Sequence, residues 1–255
     1  MSPLRIACVH SGSKRAEQGF QELSRIYSFV PPEECDVILA LGGDGLMLHT
    51  LHQHLNLGRP IFGMNCGTLG FLLNTYDADD LARRIETAQE FGLCPLKMKA
   101  VTRKGETSEF LAFNEVTVLR HTGQSANLRI QVDGVERLAK FVGDGIILAT
   151  PAGSTAYNFS AHGPIVPLGA SILALTPVSP FRPRRWRGAL LPHSAEVLID
   201  NLDPDKRPLS ATADFQELFE VVSVSVQEDP SHRAKILFDR DHSLQERVLR
   251  EQFVE

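Results

Sequence analysis

Residues 36–55 read DVILALGGDGLMLHTLHQHL, and this stretch decides the fold of the first part of the chain. Val37–Leu41 is an unbroken apolar run, long enough for a strand buried on both faces. Gly42, Gly43, Asp44 and Gly45 follow, and an amphipathic helix pattern begins at once over Leu46–Leu55. Strand, glycine turn and helix form a geometry that suits phosphate. Glycines let backbone N–H groups approach an anion closely, and a helix start adds free donors and a partial positive charge. A carboxylate would repel phosphate, so Asp44 needs another task there: taking a proton from a hydroxyl, or holding a divalent cation. Taken alone, GGDG equally describes a tight turn whose Asp caps the helix.

Strand and helix patterns alternate around this stretch. Leu4–Val9 is expected as a first strand, and Lys14–Phe29 as a helix with Phe20, Leu23 and Tyr27 on one stripe, stopped by Pro31 and Pro32. Ile61–Met64 reads as a short strand and Asn65–Gly70 as a second glycine-bearing turn. Asp77 is expected to cap a helix whose Leu81, Ile85, Ala88 and Phe91 share a face. The alternation runs to about residue 92 and predicts parallel βαβ units with helices on both faces of the sheet. Ligands in such sheets sit at the carboxyl ends of strands, where GGDG lies.

After Gly92 the texture becomes β-like. Short runs recur at Leu96–Arg103, Glu109–Asn114, Val116–Arg120, Leu128–Val132, Val135–Val142, Ile146–Ala149, Ser171–Leu175, Val197–Asp200 and Leu218–Val226. Asp133-Gly134 between two of them is a strong hairpin signal. This half is expected to be an all-β layered domain. Lys235–Phe238 is one more strand, and Ser243 is expected to cap a final helix with Leu244/Val248 and Leu249/Phe253 as pairs. That tail needs a partner for its apolar side chains, so it is expected to pack back on the first domain. The expected organisation is an α/β domain over 1–94, a β-rich domain over 95–232 and the tail over 233–255.

The 255 residues suit two domains, and 43% hydrophobic with 22% charged residues describe an ordinary globular protein. A net charge of −5 argues against nucleic acid or an acidic membrane as partner. Cys8, Cys35, Cys66 and Cys94 show no C-x-x-C spacing and read as reduced thiols of a cytoplasmic protein. MSPLRIACVH lacks a signal-peptide core, and no apolar run approaches the roughly 18 residues of a membrane span.

Three further stretches place polar groups between apolar strands. Asn114 and Glu115 can bond a base edge or amide and ribose hydroxyls, or simply form a turn. Gly143-Asp144-Gly145 leads into IILATPAGSTAYNFSAHGP, in which Thr155, Tyr157, Asn158 and Ser160 offer many donors and little charge. That suits a sugar or base more than a bare phosphate, or else a plain connection between strands. Asp214 and Gln216 form a third polar pair.

In order along the chain, GGDG at 42–45, FNE at 113–115, GDG at 143–145, TPAGSTAYNFSAHGP at 150–164 and LTPVSP at 175–180 resemble the NAD kinase family. GGDG is shared with diacylglycerol and sphingosine kinases; the long GDG…TPxGSTAYxxSxxGP run is the discriminating piece. The resemblance implies a Rossmann-like α/β domain followed by a β-sandwich-like, dinucleotide-binding domain. It implies ATP-dependent phosphorylation of NAD to NADP with a divalent cation, Mg²⁺ by expectation, in a homo-oligomer, dimer or tetramer. Asp44 would activate the adenosine-ribose 2′-hydroxyl, as general base or through the metal. Gly42, Gly43 and Gly45 would shape the loop near the phosphates, and His49, one helical turn beyond Gly45, would face the same phosphate. Asn114, Glu115, Asp144, Thr155, Ala156, Tyr157, Asn158 and Ser160 would bind the dinucleotide. His162 replaces a frequent family Gly, and Phe215 replaces the Gly of a common DGQ, so Asp214 and Gln216 are left out of the site. A lipid or sugar kinase of the same wider superfamily and a non-catalytic NAD(P)-binding regulator are the alternatives.

Two other features carry less. His49 and His52 stand at i,i+3, a spacing open to zinc, but no HExxH or Cys partner accompanies them. FRPRRWRG at 181–188 is strongly basic and reads as a solvated loop, an oligomer contact or a phosphate-facing rim.

Overall fold

The computed structural model describes residues 4–67 and 70–240, in two compact units that meet in the chain at Leu93/Cys94 and Ser231/His232. The expected final helix from Ser243 lies outside the described residues. The first unit opens with β1 (Ile6–His10), α1 (Lys14–Leu23), β2 (Val37–Gly42), α2 (Asp44–His54), β3 (Ile61–Asn65), β4 (Asn74–Thr75), α3 (Leu81–Thr87) and β5 (Gln89–Leu93). β1, β2 and β3 pair in parallel, with Cys8 opposite Leu39 and Leu39 opposite Phe62. β2 lies between two neighbours and is buried at all six residues, which is why its sequence is continuously apolar. The turns after β1, β2 and β3 therefore gather at one carboxyl edge.

Three expectations for this unit are corrected. α1 is capped by Ser13, whose hydroxyl accepts from the Ala16 N–H at 3.3 Å, and ends at Leu23 rather than Phe29. Ser24 closes it, its hydroxyl donating to the Phe20 carbonyl at 2.7 Å; Tyr27 and Phe29 then reach the same core from non-helical backbone. α3 is preceded by Asp80 in the left-handed region, while the Asp77 carboxylate accepts the Asp79 N–H at 3.0 Å and so builds the turn before the helix. Phe91 belongs to β5, not to a helix. Strand pairing claims it, for β5 runs antiparallel to residues 234–238, and Phe91 meets Phe238 edge-on at 5.5 Å.

The second unit contains β6 (Leu96–Thr102), β7 (Thr107–Ala112), β8 (Glu115–Arg120), β9 (Ala126–Val132), β10 (Val135–Gly143), β11 (Gly145–Ala149), a short α4 (Tyr157–Ser160), β12 (Ile172–Val178), β13 (Ala189–Pro192), β14 (Val197–Asn201), β15 (Leu209–Ala213), β16 (Gln216–Phe219) and β17 (Val221–Glu228). They form two antiparallel sheets, ordered β10-β9-β14-β17-β6-β7 and β13-β12-β11-β8-β15-β16. Alternation along β6 and β9 turns Leu96, Met98, Leu128 and Ile130 inward, against Val116, Ile146 and Leu209 of the other sheet. Asp133 and Gly134, both at positive φ, make the two-residue hairpin between β9 and β10. The run expected as one strand over Leu218–Val226 is broken by Glu220 at φ 55° into β16 and β17, which belong to different sheets. β11 is buried on both faces: Ile146 and Leu148 face the inter-sheet core, and Ile147 and Ala149 pack with Val166 and Ala174. The polar stretch after residue 150 is held on that second face.

The chain then returns to the first unit as β18 (Ala234–Phe238), inserted between β3 and β5. It is parallel to β3 and antiparallel to β5, so this sheet is mixed rather than wholly parallel. Asn74, fully buried, locks the junction. Its amide donates to the Gly63 and Leu237 carbonyls at 3.1 and 3.0 Å and accepts from the Asp239 N–H at 2.9 Å.

Candidate active site

In the first unit the candidate groups lie at the carboxyl edge of the parallel strands. Gly43 stands in extended backbone before α2, and Asp44 is the first helical residue. A side-chain carbon on Gly43 or Gly45 would meet nothing within 4 Å, so the turn is open beside both residues at the start of α2. The Asp44 carboxylate accepts the backbone N–H groups of Phe71 and Leu72 at 2.9 and 3.0 Å. Both oxygens therefore act as acceptors, and the second glycine-bearing turn is tied to the first. Cys66 N–H reinforces the link by donating to the Gly42 carbonyl at 2.8 Å. His49 is exposed on α2, His52 is half-buried and His54 is buried. Burial pushes the His54 imidazole below its usual value. Among the described residues no group of three His, Cys, Asp or Glu is placed to hold a metal, so the His49/His52 spacing gains no third ligand.

In the second unit the groups gather around the turn between β7 and β8. The Asp214 carboxylate, from the turn between β15 and β16, accepts the N–H groups of Phe113, Asn114 and Glu115 at 2.7, 2.9 and 3.3 Å. The Asp214 N–H returns a bond to the Glu115 carbonyl at 3.1 Å. From the other side, Thr150 donates its N–H to the Asn114 carbonyl at 2.9 Å and its hydroxyl to the Phe113 carbonyl at 2.6 Å. Gly153 lies so close that a side-chain carbon there would stand 2.1 Å from the Asn114 carbonyl oxygen. Within this wrapped turn, Asn114 Oδ1 and Glu115 Oε2 are buried atoms without a hydrogen-bond partner. Buried polar atoms are normally paired, so these two, on consecutive residues, have bonding capacity that the described residues do not fill. Burial and the neighbouring Asp214 charge push the Glu115 carboxyl up to about 8, partly offset by the Tyr157 N–H that bonds it.

The 154–160 segment divides by orientation. Ser154 is fully buried and bridges the Pro151 carbonyl and the Val166 backbone. Asn158 is fully buried too: its amide donates to the Ser154 and Pro164 carbonyls at 3.2 and 2.9 Å, and its oxygen accepts from Thr176 Oγ1 at 2.6 Å. Its polar atoms thus tie the segment to Pro164 and to Thr176 of β12. Thr155 and Ala156 are half-buried, while Tyr157 and Ser160 are exposed. Tyr157 and Ser160 line a cleft of about 530 Å³ together with His162, Ser179, Trp186 and Arg187. Arg187 and Trp186 come from the basic 181–188 stretch, whose Trp186 rests edge-on against Phe141 at 5.9 Å. Asp144 is ion-paired with Arg120, both partly exposed, at the junction of β10 and β11.

Asp214 stands out in the sequence as one of a polar pair with Gln216, but Phe215 in place of a common family glycine sets both outside the expected site. Its bonds go to residues about a hundred positions away, from the two-residue loop between β15 and β16, where Asp214 takes φ 53°. His162, in place of a frequent glycine, likewise sits at φ 61°.

The family model of the ATP-NAD kinase N-terminal domain matches residues 7–91, and that of the ATP-NAD kinase C-terminal domain matches 113–217. An NAD kinase of Hyphomonas neptunium is 53% identical over 253 residues, covering 99% of each chain. An NAD kinase of Xylella fastidiosa is 51% identical over 249 residues, covering 98% of this chain and 96% of the relative. The fold matches yeast NADH kinase complexed with NADH at a TM-score of 0.82 and 21% identity, covering 98% of this chain and 88% of that one. It also matches an NAD kinase from Archaeoglobus fulgidus in complex with ATP, at a TM-score of 0.72 and 24% identity, covering 93% and 95%. With both domain models matched and half of all positions shared with relatives over nearly their whole length, this chain belongs to the ATP-NAD kinase family.

Proposed function

We propose that this chain transfers the terminal phosphoryl group of ATP to the 2′-hydroxyl of the adenosine ribose of NAD, making NADP. The observation that carries the reading is the pair of buried, unpartnered oxygens on Asn114 and Glu115, in a turn whose backbone is bonded on both sides. Such a turn is prepared for a polar, mostly uncharged ligand such as a nucleoside, and family membership says which one. Tyr157 and Ser160 extend the surface toward the cleft that Arg187 lines, a suitable rim for the pyrophosphate.

Phosphoryl transfer asks chiefly for positioning and charge neutralisation. The open turn at Gly43 and Gly45, with the start of α2, takes the phosphates of ATP, and Asp44 takes the proton of the ribose hydroxyl. A positioned carboxylate base contributes about 10²–10⁴-fold. Mg²⁺ commonly binds through one or two carboxylates, phosphates and water, so Asp44 with the triphosphate is a fitting donor set, and the ion neutralises phosphate charge when bound. We also read the chain as a cytoplasmic homo-oligomer, a dimer or tetramer. The free thiols of Cys8, Cys35, Cys66 and Cys94 suit a reducing compartment, and Leu190 and Phe219, exposed on the edge strands β13 and β16, suit an interface.

The test is NADP formation from NAD, ATP and Mg²⁺ by the purified chain beside Asp44→Asn. Wild-type turnover, with kcat in the variant lower by about 10²–10⁴-fold and NAD affinity kept, is expected. Equal kcat in both would remove Asp44 as the base.

A further inference from the structure

We propose that Asp214 is a positioning residue of the dinucleotide site, whose carboxylate fixes the 113–115 turn and keeps the Glu115 carboxyl protonated as a hydrogen-bond donor to the ligand. Three backbone N–H groups reach the Asp214 carboxylate, at 2.7, 2.9 and 3.3 Å, so both its oxygens are acceptors, the role of an ionised group. The third of those N–H groups is that of Glu115 itself, which brings a second carboxyl into the neighbourhood of a fixed negative charge. Two carboxylates held close do not both ionise readily, and burial disfavours the charge further.

Among the described residues, the elements packed around Glu115 bring no compensating cation. Ala149 of β11 pairs with it, and β11 has no titratable residue. The 153–157 segment supplies the Tyr157 N–H, while Tyr157 as a residue is 39% exposed. β15 carries no charge, and the turn after it supplies Asp214. Arg120, at the far end of β8, is paired with Asp144. With the Tyr157 N–H bonded to the carboxyl and Oε2 left buried and unpartnered, Oε2 is the oxygen whose proton has a bond left to give. A ligand covering the site removes water and makes ionisation harder still. A neutral Glu115 also spares the anionic pyrophosphate a second negative neighbour. The matching ligand atom is an uncharged acceptor, a ring nitrogen or carboxamide oxygen of the dinucleotide.

The ligand's identity rests on the NAD reading above; the protonation of Glu115 does not. Infrared difference spectroscopy on the free chain separates the two. Wild type at pH 7 should show a protonated-carboxyl band that Glu115→Gln removes and that Asp214→Asn weakens, because ionisation moves to lower pH. A wild type without that band at pH 7 overturns the proposal whether or not NAD is a substrate. In turnover, KM for NAD should rise about tenfold per pH unit above the Glu115 titration, at little cost in kcat. Asp214→Asn should move that limb to lower pH, Asp214→Glu should restore it, and Glu115→Gln should flatten it. A purely structural role for Asp214 would raise KM and leave the limb where it was, and that result also overturns the proposal. Should Asp214→Asn not fold, the Asp214→Glu and Glu115→Gln profiles carry the same decision.

Discussion

Glu115 makes one residue answerable to pH for the stability of the whole second unit. Its carboxyl rises from an ordinary 4.5 to about 8 in the folded chain. The folded state thus keeps a proton that the unfolded state releases, so unfolding becomes easier as pH climbs through that window and the loss is complete above it. The ceiling on the effect is on the order of 4–5 kcal/mol. Glu115→Gln carries no proton to lose. Thermal unfolding at pH 5 and at pH 8.5 should therefore show the variant gaining on wild type at the higher pH; a constant difference would mean that Glu115 ionises normally. At this scale, what was legible in the sequence depended on whether a residue works locally. Asp44 lies inside its own signal, a glycine turn between an apolar strand and a helix. Asn114 and Glu115 stand out through the ordered motifs that carry the family resemblance. Asp214 shows only as half of a polar pair that Phe215 puts in doubt, because its three bonds go to N–H groups on another strand pair and leave no pattern around 214.

At the scale of elements, two glycines that look alike in the sequence do different work. Gly153 lets one backbone lie against another: a side-chain carbon would stand 2.1 Å from Asn114 O and 2.6 Å from its Cα. Gly153→Ala must push the 113–115 turn aside. A displacement near 1 Å costs about 10²-fold in rate, so kcat/KM for NAD should fall by that order and the melting temperature should drop. Gly43 sits at φ −113° with nothing within 4 Å of the added carbon, so alanine fits the protein without strain. Gly43→Ala should keep the melting temperature and weaken ATP, since the methyl takes space meant for phosphate. If instead Gly43→Ala melted early with ATP kinetics unchanged, the open turn would not be a phosphate seat. Elements were readable where one periodicity ruled: alternation gave β6 and β9, and Asp133-Gly134 gave its hairpin. They were misread where apolar spacing had two explanations. Phe91 continues the helical stripe of Leu81 and Ile85 on paper, but the pairing of β5 with β18 claims it.

At the scale of the molecule, the chain builds its first sheet from both ends of the sequence. β18 was visible as an apolar run, but its place between β3 and β5 was not, because that order is set by pairing across some 170 positions. Ile236 is fully buried there, opposite Ile61 of β3 and Phe91 of β5. Asn74 bonds the Leu237 carbonyl, and the Arg84 guanidinium pairs with Asp239 at 2.6 Å, so the strand is fastened at its far end as well. Ile236→Ala removes buried methyl groups in the middle of this sheet, a change that costs about 2–5 kcal/mol. The two units have separate cores, so the loss should stay within the first. Amide hydrogen exchange should accelerate in β2, β3 and β5 and remain as in wild type in β6, β9 and β14. NADP formation should fall as the temperature approaches a melting point lowered by roughly 10 °C, since the glycine turn is carried by β2. Equal acceleration in both units would mean that the sheets unfold as one cooperative block, and β18 would then be a fastening of the whole chain rather than of the sheet that presents Asp44.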